Sequence, residues 1–378
     1  VIAGGGDELL KNEGDTCIAD EEAAAPYPLM IGDIPTVTGP GGYRCIGQLD
    51  VTFDADGNVT ATEGSAVGVA LDGEPDADVQ ANVVDPITEA LAGLSNNVIG
   101  TSEVDLDGQR ASVRTMSTNQ GQLLADAILN SGEFRAPTYS APVPDVAFAN
   151  DRGIRNDAVI PAGALTEADT FDIAPFANFV VTGQVPRDRF KEMLEVAVAG
   201  LPGSEGTFPQ IAGFTMDVDA SQPARIVDSD GDCSLTGDPG SRVRNVTLDD
   251  GTEIVRDGQV VAGDDIALAT IDFLAGGGDC YPLGDLDFTK VGASYQQALS
   301  AFITDDLGGS ISTSGYPAGG SRTTITGADD DTIDSDDAET TDDGATDDSA
   351  DEPDAEDGED DADAADANAD MADDESEM

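Results

Sequence analysis

Asp145–Arg155 reads DVAFANDRGIR. Val146 and Phe148 alternate with small residues, the pattern of a buried strand. Asn150, Asp151 and Gly153 then break the run, as a turn does. Arg155 is thereby set just past a strand end, where a guanidinium offers a fixed fork of donors to an anion. From this stretch alone, a solvated surface arginine after an ordinary turn is the plain alternative.

Three further stretches surround it: VRTMSTNQGQLLADAIL at 113–129, APFANFVVTG at 174–183 and FLAGGGDCYP at 273–282. With DVAFANDRGIR they resemble the C-terminal, substrate-binding domain of the periplasmic and cell-surface 5'-nucleotidases. The patterns of that family are roughly R-x-x-E-x-N-x-G-N-L-x-x-D-A, N-G-G-G-I-R, P-F-x-N and F-x-A-x-G-G-D-G-Y, and they recur here in order and at matching spacing. The resemblance implies an α+β domain. Residues 99–308 are expected to form it, with 76–98 as a linker carrying a helix.

The chain has 378 residues, enough for one large domain or two ordinary ones. Asp and Glu number 77 against 16 Lys and Arg, for a net charge of -61 and no histidine. Such a surface repels nucleic acid and anionic membranes as bulk partners. It suits a protein kept soluble in very high salt, where screening removes most carboxylate self-repulsion. A halophilic source accounts for it; an ordinary acidic protein with an acidic tail also does. The four cysteines, Cys17, Cys45, Cys233 and Cys280, lack C-x-x-C spacing and any histidine partner, which argues against zinc. Four cysteines allow three pairings, and spacing suggests 17 with 45 and 233 with 280. No run is long enough to cross a membrane as a helix.

Residues 1–75 read as short strands separated by Pro, Gly and Asp-Gly turns. VIAGGG reads as a buried strand entering a turn, and CIGQLDVTF alternates through Ile46, Leu49, Val51 and Phe53. Asp85 and Pro86 start a helix expected to end near Leu94. Helices are expected over 118–129, over 187–199 and near 291–303, and Thr166 with Asp169 three residues later reads as a helix cap. The runs FTMDVD, SRVRNVTL and DIALATIDF read as strands. Residues 309–328 are Gly-, Ser- and Thr-rich and read as a flexible connector. Residues 329–378, dominated by Asp, Glu and Ala with no aromatic residue, read as a disordered acidic tail.

The resemblance also implies site residues. Phe176 and Phe273 would sandwich a nucleobase; each alone is also an ordinary core residue. They fit a purine or a pyrimidine equally. Arg110, Arg114 and Arg155 would face the nucleotide phosphate, with salt bridges to nearby carboxylates as the alternative. Asn150 and Asn178 would hydrogen-bond base or ribose, Asp279 the ribose hydroxyls, and Gly213 is turn geometry at the edge of the set. The chain departs from the family at Ser117, Gln122 and Cys280, and at Asp151 and Arg152, which replace glycines and are expected to narrow the mouth of the site.

Residues 1–75 resemble the closing strands of the metallophosphoesterase domain that precedes the substrate domain in this family. There a G-H-x-H turn supplies metal ligands; here the turn is Gly4-Gly5-Gly6-Asp7, leaving Asp7 as the one weak metal candidate. Phosphomonoester hydrolysis in this family uses two divalent metal ions. The chain by itself is therefore expected to bind a nucleoside monophosphate without hydrolysing it, with any metal centre held by a longer parent. A nucleotide-binding protein without catalysis is the alternative to a 5'-nucleotidase-like hydrolase. The family implies an extracellular, periplasmic or cell-surface location.

Overall fold

The computed structural model describes residues 1–3, 8–70, 73–204, 206–226, 233 and 237–327. Asp7 and the acidic tail from 329 onward lie outside the described residues. The described chain divides into a first unit, Val1–Glu74, and a second that begins at Pro75.

The first unit contains two hairpins. β1 (Leu29–Ile31) pairs with β2 (Ile34–Thr36), and β3 (Cys45–Phe53) with β4 (Val59–Gly68), antiparallel in both cases. The turn between β3 and β4 is closed by Asp54, whose carboxylate accepts from the backbone N–H of Asp56 and Asn58. This local bonding is why Asp-x-x-Gly-Asn runs favour turns. Leu9, Leu10, Cys17, Tyr27, Val37 and Ala66 form a small core, closed by a Cys17–Cys45 disulfide. The start of the chain differs from the expected buried strand: Val1–Ala3 are exposed, and Ile2 makes a single bridge to Val37. An apolar run is buried only where a second layer covers it, and no such layer covers it among the described residues.

The second unit is α+β. After a short α1 (Ala77–Val79), α2 (Asp85–Asn96) carries Pro86 in its first turn and buries none of its residues. β5 (Val98–Ser102) and β6 (Leu106–Asp107) lead to a short α3 (Arg110–Val113) and then α4 (Asn119–Arg135). Thr118 caps α4 by accepting from the Gly121 N–H, and Leu123, Leu124, Ala127 and Ile128 are fully buried. α4 lies on a five-stranded sheet ordered β11-β7-β16-β10-β17, comprising Pro209–Ala212, Val146–Asn150, Ile266–Ile271, Phe179–Val185 and Phe288–Ser294. β7 is buried along its whole length. Burying a side chain such as Phe148 contributes about 1.5–3 kcal/mol.

β8 (Val159–Ile160) and β9 (Gly163–Thr166) precede α5 (Glu167–Ile173), where Thr166 and Asp169 form the expected capping box. α6 (Arg187–Ala197) buries Phe190, Met193 and Leu194. A second five-stranded sheet, ordered β15-β14-β13-β12-β19, comprises Gln259–Val260, Glu253–Arg256, Val243–Leu248, Phe214–Asp219 and Thr323–Thr326. α7 (Asp272–Ala275) follows β16 directly. α8 spans Tyr295–Ala301, so residues 291–294 of the expected last helix belong instead to β17. Ser294 ends the strand and caps the helix, its hydroxyl accepting from the Gln297 N–H.

The connector is where the structure departs most from the sequence reading. Within 309–328, β18 (Ser310–Ile311) pairs with β5, and β19 pairs in parallel with β12. Arg322 forms a two-pronged bond to the Asp126 carboxylate at 2.7 and 2.8 Å, and the Tyr316 hydroxyl donates to the same carboxylate. Composition suggested flexibility, but long-range pairing satisfies this backbone. A disulfide joins Cys233 to Cys280, so both pairings follow the cysteine spacing.

Candidate functional site: a pocket at one end of the first sheet

Three strands of the first sheet open their loops at one end. β7 and β16 run parallel, so both finish there, at Asn150 and Ile271. β10 runs antiparallel to β16 with Val180 opposite Ile271, so β10 begins where they finish. The three loops carry Asn150-Asp151-Arg152-Gly153, Phe273 on α7, and Phe176-Ala177-Asn178. Loops at the strand ends of a packed sheet are where a rigid scaffold can aim side chains at a ligand.

Between them lies a pocket of about 190 Å³. Phe176, Phe273 and Ile271 give it apolar walls, and Asn150, Arg152, Gly153 and Asn178 complete it. Phe176 and Phe273 are 46% and 45% exposed, far more than core phenylalanines such as Phe148 at 0%. Two half-bare rings in one cleft can hold a planar group. The volume is below the 300–1,000 Å³ of sites that enclose a whole drug-sized ligand, so it suits one ring system.

The pocket is held by bonds across distant segments. The Tyr295 hydroxyl accepts from the Phe176 N–H at 3.1 Å and donates to the Gly153 carbonyl at 3.2 Å, locking two loops together. Burial pushes this phenol up to about 12, so it stays a donor at physiological pH. Asn150 Nδ2 donates to Asp279 Oδ2 at 2.5 Å, and Arg152 Nη1 lies 3.8 Å from Asp279 Oδ1. Asp279 sits at φ 51, a left-handed conformation that Asp tolerates better than most residues. A Cβ at Gly278 would meet the Phe273 ring at 2.5 Å, so any larger residue there would displace that ring.

The arginines take different stations. The Arg155 guanidinium lies over the Phe176 ring, 5.7 Å from its centroid, and its backbone N–H donates to the Ile173 carbonyl. Among the described residues no carboxylate is within ion-pair distance of that guanidinium. Arg110 Nε is 3.5 Å from Asp157, which also accepts from the Arg110 backbone N–H. Arg114 is buried with Nε 3.7 Å from Asp151. Neither Arg110 nor Arg114 is in the pocket wall.

Asp151 also departs from expectation. It does not narrow the mouth: it turns inward toward Arg114 and is 1% exposed. Burial raises its carboxyl to about 7, against the opposing pull of Arg114 and Arg152. Only Arg152 of the pair lines the pocket. Gly213 is outside it, at φ 81 where the chain passes from β11 to β12; a Cβ there would fall 2.4 Å from the Asp145 carbonyl oxygen. The structure thus gathers Asn150, Phe176, Asn178 and Phe273 in one pocket, with Asp279 and Arg155 beside them. Sequence reasoning gave neither Tyr295 nor Ile271 a place in the site, because the contacts that put them there are made only across distant segments.

The residues described do not fit a two-metal centre. The chain has no histidine, and among the described residues no group of three or more Cys, Asp or Glu is placed to hold a metal ion.

Residues 98–284 match the profile of the 5'-nucleotidase, C-terminal domain, and they form a 5'-nucleotidase-like C-terminal domain. The trifunctional nucleotide phosphoesterase protein YfkN of Bacillus subtilis is 28% identical over 239 residues, covering 62% of this chain and 14% of that protein. The snake venom 5'-nucleotidase of Gloydius brevicauda is 26% identical over 291 residues, covering 72% and 47%. A crystal structure of the 5'-nucleotidase precursor from Thermus thermophilus superposes with a TM-score of 0.51 at 24% identity, over 86% of this chain and 59% of that one. The chain therefore spans less than half the length of these two curated relatives. Among the described residues, no helix is long and apolar enough to cross a membrane.

Proposed function

We propose that this chain is a nucleotide-binding domain that takes a nucleoside 5'-phosphate at the sheet-end pocket. The base sits between Phe176 and Phe273, each ring stacking for about 1–3 kcal/mol. Asn150 and Asn178 meet the base or ribose, and Asp279 accepts from ribose hydroxyls. Arg155, with no carboxylate partner among the described residues and beside Phe176, takes the phosphate. Arg110 and Arg114 join it on the resemblance alone, since each is also engaged by an aspartate. Gly213 supports the sheet junction. The observation that carries this reading is the pair of half-exposed phenylalanines facing one cleft.

Hydrolysis is assigned to a longer protein, if to any. Residues 1–75 are read as the closing part of a metallophosphoesterase-like domain, and divalent metal ions would be held by ligands beyond those described. An extracellular or surface location agrees with two disulfides in one chain. Calorimetry of the chain with several nucleoside monophosphates in molar salt tests the binding reading; absence of heat with all of them, on folded protein, rejects it. Phosphate release in added manganese, cobalt or zinc by the protein extended upstream tests the hydrolase reading separately.

A further inference from the structure

We infer that Arg152 makes the pocket selective for 6-oxopurine nucleotides, those of guanine and hypoxanthine, over adenine nucleotides. The inference rests on the base-stacking reading and adds the identity of the base, which the two phenylalanines leave open.

Arg152 stands where the resembling family has glycine, and its side chain, 38% exposed, lines the same pocket as Phe176 and Phe273. Its guanidinium stands beside Asp279. Nη1 lies 3.8 Å from Asp279 Oδ1, and Asp279 is itself bonded to Asn150. The Nε end lies across Gly206, where a Cβ would come within 2.6 Å of it. A guanidinium so placed is pre-organised, and it offers donors only.

A base clamped between two rings presents its edge to whatever wall is not a ring. Guanine and hypoxanthine carry two adjacent acceptors, N7 and O6, on one edge, and the fork of an arginine matches both. Adenine carries N7 beside its N6 amino group, so one donor there would face another donor. A pyrimidine presents no such pair of acceptors and has one ring to stack. The Asp279 carboxylate beside Arg152 disfavours a phosphate at this point but does not repel a neutral base edge. Arg155 has no such neighbour among the described residues, so the two arginines divide the nucleotide between them.

Calorimetry or competition binding on the full chain, in molar salt, with GMP, IMP, AMP and 7-deaza-GMP tests this. GMP and IMP are expected to bind on the order of tenfold tighter than AMP. Equality of GMP with IMP is expected, because the 2-amino group is not the feature read. The 7-deaza analogue, which lacks the N7 acceptor, is expected to lose most of the advantage without any change to the protein. In Arg152→Met, checked for an unchanged unfolding midpoint, the GMP-to-AMP ratio is expected to fall to about one. AMP binding as tightly as GMP, 7-deaza-GMP binding like GMP, or an Arg152→Met effect equal for all nucleotides would each overturn the assignment while leaving the stacking pocket standing. Failure of every nucleotide to bind would sink both readings.

Discussion

Asn150 Nδ2 donates to Asp279 Oδ2 at 2.5 Å, joining residues 129 positions apart in the chain. The bond ties the end of β7 to the glycine-rich loop after α7, and through Asp279 it holds Arg152 in the pocket wall. Asp279→Ala removes both contacts. Hydrogen bonds to charged groups contribute about 1.5–3 kcal/mol, so nucleotide affinity is expected to fall at least about tenfold. Asp279→Asn, which keeps one acceptor, is expected to retain an intermediate affinity. Titration calorimetry of the two variants reads the order; equal affinities for wild type and Asp279→Ala would dissociate this bond from binding.

Phe176→Ala and Phe273→Ala should each cost about 1–3 kcal/mol of base-stacking affinity while changing stability little, because both rings are about half exposed. Phe148→Ala is the contrast: this fully buried ring packs against Tyr281, and its loss should cost about 3–5 kcal/mol of stability. Urea unfolding alongside binding separates the two classes. A drop of several kcal/mol in stability for Phe176→Ala would place it in the core and out of the site.

The buried Asp151 sets a pH dependence. Burial raises its folded-state carboxyl to about 7, from an ordinary value near 3.8. Between those values the folded state binds the proton and the unfolded state has lost it, so stability declines as pH rises. The contribution is fully present below pH about 4 and is lost as pH passes about 7. Asp151→Asn, close in shape and without charge, should flatten the slope of unfolding free energy between these limits at constant salt. A slope that persists unchanged in the variant would move its source to another group.

At the C-terminal side, Arg322 bonds the Asp126 carboxylate of α4 twice and donates to the Ile211 carbonyl. Arg322→Ala is expected to destabilise the second unit by roughly 1–3 kcal/mol, since the pair is only partly shielded from solvent. Truncation before Thr323, which removes β19 from the edge beside β12, should cost more. Truncation after Gly327 should leave the unfolding midpoint in high salt nearly unchanged. A large fall in the midpoint after that last cut would mean that the acidic segment packs or binds cations.

The strand at 146–150, its polar turn and the helices starting at Asn119 and Glu167 are legible in sequence, because each depends on periodicity or on neighbours within a few residues, whereas the two phenylalanine motifs are legible only through their resemblance to the 5'-nucleotidases. Extreme acidity and the cysteine spacing are likewise present in the primary chain. Which ends of β7, β16 and β10 meet is decided only by the pairing of strands far apart in the chain, and that pairing alone turns three separate motifs into one pocket. Adjacent Asp151 and Arg152 read alike as bulky replacements for glycine. The fold separates them, burying one against Arg114 and leaving the other to line the cleft. Tyr295 carries its own helical pattern in the sequence, yet its bonds to Phe176 and Gly153 exist only once the sheet is closed. The Gly-, Ser- and Thr-rich stretch near Thr323 has no hydrophobic rhythm at all. It becomes a strand because β12 offers it backbone partners, and a partner supplied from roughly a hundred residues away leaves no mark on local composition.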